Sequence, residues 1–311
     1  MMENKFAIPG HKPFKQGKVR DLYRVPDLTN PGKFRPDLIL CVTTDRISAF
    51  DRVMGEIPGR GLILNAISNF WKGHFNEYIP NDLYKTETEE ALSYFGIKEI
   101  PESLRNRVSL IYLAERLPFE FIVRGYLAGS LFKEYERRNF SSGYYLGHWL
   151  PEGMKDAQEL GRPLFTPTTK SENGKDENAS FSEVAKRIGG ETAENVRLAS
   201  IALYLVGHRY LLKRGIILAD AKFEFGFRNI DGHHQYLCLI DEVLTPDSSR
   251  LWLAESYSPG QRPASLDKQY YRDWLTGIGW NETKPVPKIP KTVQQNLLAK
   301  YEFVLGMILS N

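Results

Sequence analysis

The chain has 311 residues, enough for one large domain or two medium ones. An apolar content of 42% and a charged content of 25% are typical of a soluble globular enzyme. The net charge is only +3, and lysines and arginines are interspersed with acids. This pattern excludes the basic stripe of non-specific nucleic-acid binding, so we expect no nucleic-acid partner.

The N-terminal segment and the cysteines favour a cytoplasmic protein. The stretch "MMENKFAIPGHKPF" has no apolar core flanked by basic residues, so we expect no signal peptide. No run approaches 18 apolar residues, and we expect no membrane partner. Cys41 and Cys238 each lie in an apolar, strand-like run, which predicts buried free thiols in a reducing compartment.

The first half of the chain is predicted to be rich in strands. Residues 17 to 57 contain three short strand-like runs separated by turn formers. The segment "NAISNFWKGHF" is predicted to be helical because its apolar residues recur on one face. Strands return between residues 107 and 127, with Pro118 as a breaker, and a helix capped by Ser130 follows.

The second half mixes helices with a hairpin. Residues 140 to 180 show no steady period, and so long an irregular stretch more often serves function. A helix is predicted from about Thr192 to Lys213, then two strands around "NIDGHH", then a terminal helix from Thr292. Because hairpins are prominent, we predict an α+β (mixed α/β) fold over a doubly wound parallel sheet.

One predicted strand, "ILADAKFEFG" from Ile217 to Gly226, carries a charge at every second position. Side chains alternate between the two faces of a strand. The charged residues are therefore predicted to share one face, and the apolar residues the other. The first face holds Asp220, Lys222 and Glu224, and the second holds Ala219, Ala221, Phe223 and Phe225.

The next predicted strand, "YLCLIDEVL", brings a second carboxylate to the same face. If the hairpin is centred between Gly232 and His233, Glu224 faces Asp241 directly. If the turn is tighter, around Asp231-Gly232, Lys222 faces Asp241 and Glu224 is its diagonal neighbour. Either register leaves Glu224 and Asp241 on one face, whereas a slip by one residue would separate them.

Two opposed carboxylates repel each other, and a divalent cation removes that repulsion. Mg²⁺ held by one or two carboxylates together with nucleotide phosphates is a common arrangement. Lys222, between the acids, would then hold a substrate carboxylate or phosphate. The alternative is an exposed strand face with cross-strand salt bridges, worth about 0–1 kcal/mol per pair.

Two N-terminal stretches are candidates for ligand binding. "GKVRDLY" places Lys18 and Arg20 beside Gly17, which suits a cradle over nucleotide phosphates, although a solvated hairpin edge explains it as well. "TTDRISAFD" ends a buried-looking strand with Asp45 and Ser48, which are either a binding loop or ordinary turn formers.

Two later stretches predict anion sites. In "EFIVRGYLAGS", Arg124 ends an apolar strand and Ser130 lies at a helix start, where free N–H groups favour anions; Ser130 is otherwise only an N-cap. In "DEVLTPDSSRLW", Ser249 and Arg250 suit a phosphate monoester. The stretch "FTPTTKSENGKDENAS", with Lys170 and Asp176, would be a surface loop if taken alone.

These stretches together resemble the motifs of the SAICAR synthetase (phosphoribosylaminoimidazole-succinocarboxamide synthase) family of purine biosynthesis. "LPFEFIVRGYLAGS" and "LADAKFEFG" resemble its two signature segments. "GKVRDLY", "TDRISAFD", "FTPTTK" and "DEVLTPDSSRLW" match its other motifs in order. The resemblance runs from about Gly17 to Trp274, and the length is similar to that of the longer form of the family.

The resemblance implies a two-lobed fold with the ATP cleft between the lobes. Residues 1 to 115 would form a β-rich ATP-binding lobe related to kinase and ATP-grasp clefts. Residues 116 to 311 would form a larger α/β lobe with the ribonucleotide and Mg²⁺ sites. The implied reaction joins L-aspartate to carboxyaminoimidazole ribonucleotide (CAIR), with ATP cleaved to ADP and phosphate. We expect a monomer. The alternatives to the ligase are a small-molecule kinase that uses the same cleft and a non-catalytic nucleotide-binding or scaffold protein.

The resemblance also implies residue roles. The ATP phosphates would be bound by Gly17, Lys18, Arg20 and Lys170. Glu224 and Asp241 would hold Mg²⁺ and, with Lys222, form the catalytic group. The ribonucleotide would be bound by Arg124, Ser130, Lys222, Ser249, Arg250 and Arg272, with Asp176 and Asp220 on its imidazole and ribose side. Candidates for the aspartate site are Asp45, Ser48 and Lys222.

Overall fold

The computed structural model of the chain describes residues 5–170, 177–229 and 235–310. Its helices are α1 (Arg60–Phe75), α2 (Thr88–Ser93), α3 (Gly129–Arg137), α4 (Phe181–Ile188), α5 (Gly190–Leu212), α6 (Gln269–Gly277) and α7 (Lys291–Leu309). Its strands are β1 (Lys15–Gln16), β2 (Arg20–Pro26), β3 (Phe34–Thr43), β4 (Arg46–Ala49), β5 (Arg52–Glu56), β6 (Leu83–Lys85), β7 (Val108–Tyr112), β8 (Glu115–Arg116), β9 (Phe119–Tyr126), β10 (Gly143–Tyr145), β11 (His148–Leu150), β12 (Glu159–Phe165), β13 (Thr168–Thr169), β14 (Ile216–Asn229), β15 (Gln235–Ile240) and β16 (Ser249–Leu253). Across the described ranges, none of the helices has the length and apolar character needed to cross a bilayer.

Two larger sheets organise the molecule. The first has five strands in the order β1-β2-β3-β7-β6. The second has seven strands and follows the path β12-β9-β14-β15, with β8, β13 and β16 paired to its central strands. Every pairing between named strands in the described part is antiparallel. This confirms the predicted α+β class over a doubly wound parallel sheet.

Each of these sheets has its own hydrophobic core. The smaller core packs one face of β2, β3 and β7 against α2 and the N-terminal segment, with Tyr23, Leu40 and Leu110 fully buried. The larger core lies between the seven-stranded sheet and the helices α1, α5, α6 and α7. Residues of α1, such as Ile67 and Trp71, belong to this larger core although they precede residue 115. The division of the chain at residue 115 stays a prediction.

The central strand β14 keeps the predicted charge alternation with one exception. Ala221, Phe223 and Phe225 are buried in the larger core. Ala219, predicted to share their face, packs with Ile217 in a separate cluster. The reason is a register irregularity between Leu218 and Asp220 in the pairing with β16, which shifts the alternation by one residue.

Two predicted features near the middle of the chain differ from the structure. The stretch from 140 to 180 is not irregular throughout, since β10 to β13 lie within it. The N-cap of α3 is Ala128, which has no side chain able to cap, rather than Ser130. The predicted hairpin centre falls within residues 230–234, outside the described residues.

The seven-stranded sheet and α5 approach each other closely at Gly125 on β9, and a substitution there tests this packing. A Cβ atom at this position would lie 1.9 Å from the hydroxyl oxygen of Tyr204, which donates a 2.7 Å hydrogen bond to the Leu218 carbonyl. We expect Gly125→Ala to lower the free energy of unfolding by about 1–3 kcal/mol, measured by urea denaturation. Gly73→Ala is the control, because no atom of the described residues beyond its own stretch of α1 lies within 4 Å of its Cβ position, and it should stabilise the fold by up to about 1 kcal/mol. A Gly125→Ala midpoint at or above that of the wild type would contradict the packing.

Candidate active site

Lys222 lies at the centre of a group of opposite charges on β14 and its neighbours. Its Nζ is 2.9 Å from Oε1 of Glu120 and 2.9 Å from Oε1 of Glu224. Oδ2 of Asp241 is 4.0 Å away. Glu120 comes from the adjacent strand β9, where Lys222 is paired with Ile122. Burial by itself would lower the pKa of Lys222, but the surrounding carboxylates raise it well above its ordinary value.

Lys170 adds a second ammonium group to the same carboxylates. It follows β13, makes a close ion pair with Glu224 and has its Nζ 3.4 Å from Oε1 of Glu120. The Glu224 side chain is only 2% exposed, so its charge is balanced almost entirely by protein groups. We call Glu120, Lys170, Lys222, Glu224 and Asp241 the charge cluster.

The register of the β14–β15 hairpin differs from both predicted registers. Glu224 is paired with Ile240, one residue away from the predicted partner Asp241. Strict alternation in this register would put Glu224 and Asp241 on opposite faces. However, β15 ends at Ile240, and Asp241 has a left-handed backbone with φ 68°. The alternation therefore stops before Asp241, and its carboxylate turns towards Lys222 and Glu224.

Arg20 connects the five-stranded sheet to the charge cluster. Its Nη2 is 2.8 Å from Oδ1 of Asp241 and 3.3 Å from Oε1 of Glu242. Burial by itself would raise the pKa of Asp241, but Arg20 and Lys222 hold that pKa well below its usual range. Asp241 is therefore a carboxylate at neutral pH, as a metal ligand must be.

The sequence analysis missed two acids of this site. Glu242 accepts a 2.6 Å hydrogen bond from the Thr245 hydroxyl in addition to its contact with Arg20. Its position directly after Asp241 was the available signal. Glu120 could be found only through its strand pairing, because it is 102 residues from Lys222 in the chain.

Gly17 and Lys18 form the turn that leads into Arg20. The Gly17 N–H donates a 2.7 Å hydrogen bond to the Arg20 carbonyl. A Cβ atom on Gly17 would lie 3.0 Å from that carbonyl oxygen, so the turn favours glycine. Lys18 is half-exposed and pairs with the exposed Asp51 at 2.5 Å. Such an exposed pair is weak, which leaves the Lys18 ammonium able to exchange partners.

A cavity of about 180 Å³ opens beside the charge cluster, and we call it the anion cavity. It is lined by Ile122, Arg124, Ser130, Asp220, Lys222, Pro246, Asp247, Ser248, Ser249, Arg250, Asp267 and Arg272. Arg124 is buried, and its guanidinium donates to Thr166 at 2.9 Å and to Ser130 at 3.0 Å. The Ser130 hydroxyl thus orients Arg124 instead of capping α3.

Arg250 and Ser249 occupy another wall of the anion cavity. Arg250 is paired with Asp220 in the β14–β16 ladder, and their side chains form a close ion pair. Gly129 lies against this guanidinium with φ 59°, and a Cβ there would be 2.6 Å from the Arg250 Nη2. The buried Ser249 hydroxyl has no hydrogen-bond partner among the described residues. The cavity therefore offers positive charge and an unused hydroxyl to a ligand.

Two of the predicted substrate residues, Asp45 and Ser48, are not part of the cavity lining. Asp45 is buried between β3 and β4, where it accepts hydrogen bonds from the Gly59 and Gly61 N–H groups near the start of α1 and from Arg107. Ser48 lies in β4, where it is paired with Val53. Asp176 falls outside the described residues. The aspartate-binding role of Asp45 and Ser48 is thus without support from the cavity.

The carboxylates of the charge cluster fit Mg²⁺ in chemistry. Glu224 and Asp241 supply hard anionic oxygens, both within 4.0 Å of the same Lys222 ammonium. Within residues 5–170, 177–229 and 235–310, no group of three or more His, Cys, Asp or Glu residues could hold a metal by itself. Two protein carboxylates with nucleotide oxygens and water are the usual Mg²⁺ environment.

A charge cluster beside an anion cavity suits phosphoryl transfer, and the similarity to known proteins defines the class as an ATP-dependent ligase. The model of the SAICAR synthetase family matches residues 13–287. The phosphoribosylaminoimidazole-succinocarboxamide synthase of Chromobacterium violaceum is 42% identical over 296 residues, covering 94% of this chain and 97% of that protein. The chain belongs to the SAICAR synthetase family, as the sequence motifs predict.

Further relatives agree with this membership. The synthase of the same name from Haemophilus influenzae strain Rd is 40% identical over 309 residues, 99% of each chain. The SAICAR synthase of Saccharomyces cerevisiae, solved in complex with SAICAR, has a TM-score of 0.82 and 35% identity, with 97% of this chain and 96% of that chain covered. The fold is therefore shared over nearly the whole length of the chain.

Proposed function

We propose that this chain catalyses the ATP-dependent condensation of CAIR with L-aspartate to SAICAR, ADP and phosphate. The observation that carries this proposal is the position of Lys222, which belongs to the charge cluster and also lines the anion cavity. One ammonium group can therefore contact both a transferred phosphoryl group and an anionic substrate. The family membership of the chain supports the same reaction.

We assign the ATP phosphates to the tight turn at Gly17 and to Lys18, Arg20 and Lys170. Arg20 and Lys170 are held by carboxylates of the charge cluster, which place their cations next to Glu224 and Asp241. Lys18 lies in the adjoining turn and reaches the phosphates by leaving Asp51. Mg²⁺, when bound by Glu224 and Asp241, would neutralise charge on the phosphoryl group.

We assign the ribonucleotide to the anion cavity. Arg250 presents a fork of N–H donors that suits a phosphate, and the unpartnered Ser249 hydroxyl supplies another donor. The rest of the cavity is lined by Arg124, Ser130 and Arg272. Asp220 lies between Arg124 and Arg250 and contacts both guanidinium groups. Lys222 would then face the carboxylate of CAIR, because it lines the cavity and also belongs to the charge cluster.

This arrangement suits a reaction that needs no protein nucleophile. A carboxylate is a poor electrophile, so the CAIR carboxylate must first accept the phosphoryl group of ATP. The amine of L-aspartate then attacks the activated carbon, and phosphate leaves. Arg20, Lys170 and Lys222 would stabilise the charge that moves between these oxygens, and catalysis is mainly positioning and electrostatics. Lys222 remains our candidate near the aspartate site.

The proposal predicts a defined product in a single assay. With the purified chain, ATP, Mg²⁺, CAIR and L-aspartate, we expect SAICAR by mass spectrometry and one ADP released per SAICAR formed. Omission of L-aspartate should suppress ADP release to background. ADP release that ignores aspartate would favour the small-molecule kinase, and no ADP release under any condition would favour a non-catalytic nucleotide-binding protein.

The proposal also includes the oligomeric state, the cellular compartment and the cofactors of the enzyme. We propose a monomer in the cytoplasm that uses ATP and Mg²⁺, in keeping with a family of purine biosynthesis. Sedimentation velocity of the purified chain tests the monomer, for which the mass expected is 35.7 kDa.

A further inference from the structure

Asp247 lies in the loop between β15 and β16 and belongs to the lining of the anion cavity. Its side chain is nevertheless only 2% exposed, because three donors surround it. Arg60 makes a close ion pair with Oδ2, the Nζ of Lys268 is 3.0 Å from the same oxygen, and the Tyr301 hydroxyl donates to Oδ1 at 2.7 Å. These donors come from α1, the residue before α6, and α7.

The charges of this group keep the hydrogen bonds in place over the ordinary pH range. Burial by itself would raise the pKa of Asp247, but Arg60 and Lys268 hold that pKa well below its usual range. Burial, followed by the nearby carboxylate, raises the pKa of Tyr301 far above its ordinary value. Tyr301 therefore stays protonated as a donor, and Asp247 stays ionised as its acceptor.

The position of Asp247 determines the positions of the three residues that follow it in the chain. Ser248, Ser249 and Arg250 follow it directly and line the anion cavity. The loop backbone is tied by a 3.0 Å hydrogen bond from the Ser249 N–H to the Thr245 carbonyl. The loop also includes Leu244, whose φ of 45° is a left-handed backbone conformation that is unfavourable for residues other than glycine. A shift of the Asp247 carboxylate would therefore also move Ser249 and Arg250, the hydrogen-bond donors that line the cavity.

We propose that Tyr301, on the C-terminal helix α7, is a positioning residue for the anion cavity. It holds Oδ1 of Asp247, while Arg60 and Lys268 hold Oδ2, and together they fix the loop that presents Ser249 and Arg250 to the substrate. Tyr301 lies beyond residues 13–287, the part matched by the family model. The substrate for which it positions the loop is the ribonucleotide, and this part rests on the function proposed above.

The test is the removal of one hydroxyl by Tyr301→Phe. A hydrogen bond to a charged acceptor is lost, so we expect KM for CAIR to rise about tenfold. The KM for ATP and kcat should stay within about twofold, because the charge cluster is untouched. Ribose 5-phosphate, titrated by calorimetry, gives a second measurement that needs no turnover, and its Kd should rise by the same factor.

Tyr271→Phe on α6 is the matched control. Tyr271 is also fully buried, but its hydroxyl has no hydrogen-bond partner among the described residues. This variant should leave both substrate constants and the ribose 5-phosphate affinity unchanged. Unchanged constants in Tyr301→Phe, equal rises of KM for both substrates, or a failure of Tyr301→Phe to fold where Tyr271→Phe folds would each overturn the positioning role. If the wild type binds ribose 5-phosphate and Tyr301→Phe weakens that binding but no SAICAR forms, the proposed function fails and the positioning role stands.

Discussion

Replacement of Asp241 by Asn is expected to lower kcat about a thousandfold while the protein stays folded. Asp241 contributes the negative charge that faces both Arg20 and Lys222. Asn keeps the size of the side chain but removes the anionic oxygen that a divalent cation needs. Steady-state kinetics over a Mg²⁺ titration measures the effect, and the Mg²⁺ dependence that remains should shift to higher concentration.

Asp241 is a better position for this test than Glu224. Glu224 is nearly fully buried between Lys170 and Lys222, so Glu224→Gln leaves two partly buried ammonium groups with less compensation and also endangers the fold. Arg20 still has Glu242 as a partner when Asp241 is neutral. Asp37→Asn, which removes an exposed carboxylate paired with Arg35, is the control and should change kcat by less than twofold. Wild-type turnover and Mg²⁺ dependence in Asp241→Asn would remove the basis of the proposed metal site.

The features that followed from the sequence are local ones. The charged face of β14 was predictable because strand alternation needs only neighbouring residues, and Asp220, Lys222 and Glu224 do lie together at the site. Arg124 at the end of an apolar strand and Ser130 six residues later were also predicted to act together, and the structure brings them into contact, while their anion-binding role stays a prediction. The ordered motifs identified the family, which the comparisons confirm.

The features that sequence reasoning missed depend on distant parts of the chain. The β14–β15 register follows from the turn and the packing of both strands, and the alternation rule could not include the left-handed backbone of Asp241. Glu120 and Tyr301 reach the site through strand pairing and helix packing, at separations of 102 residues from Lys222 and 54 from Asp247. The role of Asp45 at the aspartate site stays a prediction, and its hydrogen bonds with the N–H groups of Gly59 and Gly61, 14 and 16 residues later in the chain, could not be inferred from the sequence.

The removal of Arg250 should have the largest effect on substrate binding. We expect Arg250→Ala to raise KM for CAIR by about two orders of magnitude, since a desolvated charge pair with the ligand is lost and Asp220 is left with the 3.6 Å contact with Arg124. The KM for ATP should change by less than about threefold. Arg250→Lys should recover only part of the affinity, because an ammonium group cannot form two parallel hydrogen bonds to a phosphate. Arg262→Ala is the control, since Arg262 is an exposed partner of Asp273 away from the cavity lining.

A double-mutant cycle between enzyme and substrate identifies the anion that Arg250 binds. The second change is the loss of the 5′-phosphate, made by replacing CAIR with its nucleoside. If Arg250 binds the phosphate, Arg250→Ala and the phosphate-free substrate should each weaken binding, and the two changes together should be little worse than one. If the two effects multiply, Arg250 binds the imidazole carboxylate instead. In that case the phosphate is bound by Arg124, Ser130 and Arg272. The ribonucleotide then lies in the cavity in the reverse of the orientation that we propose.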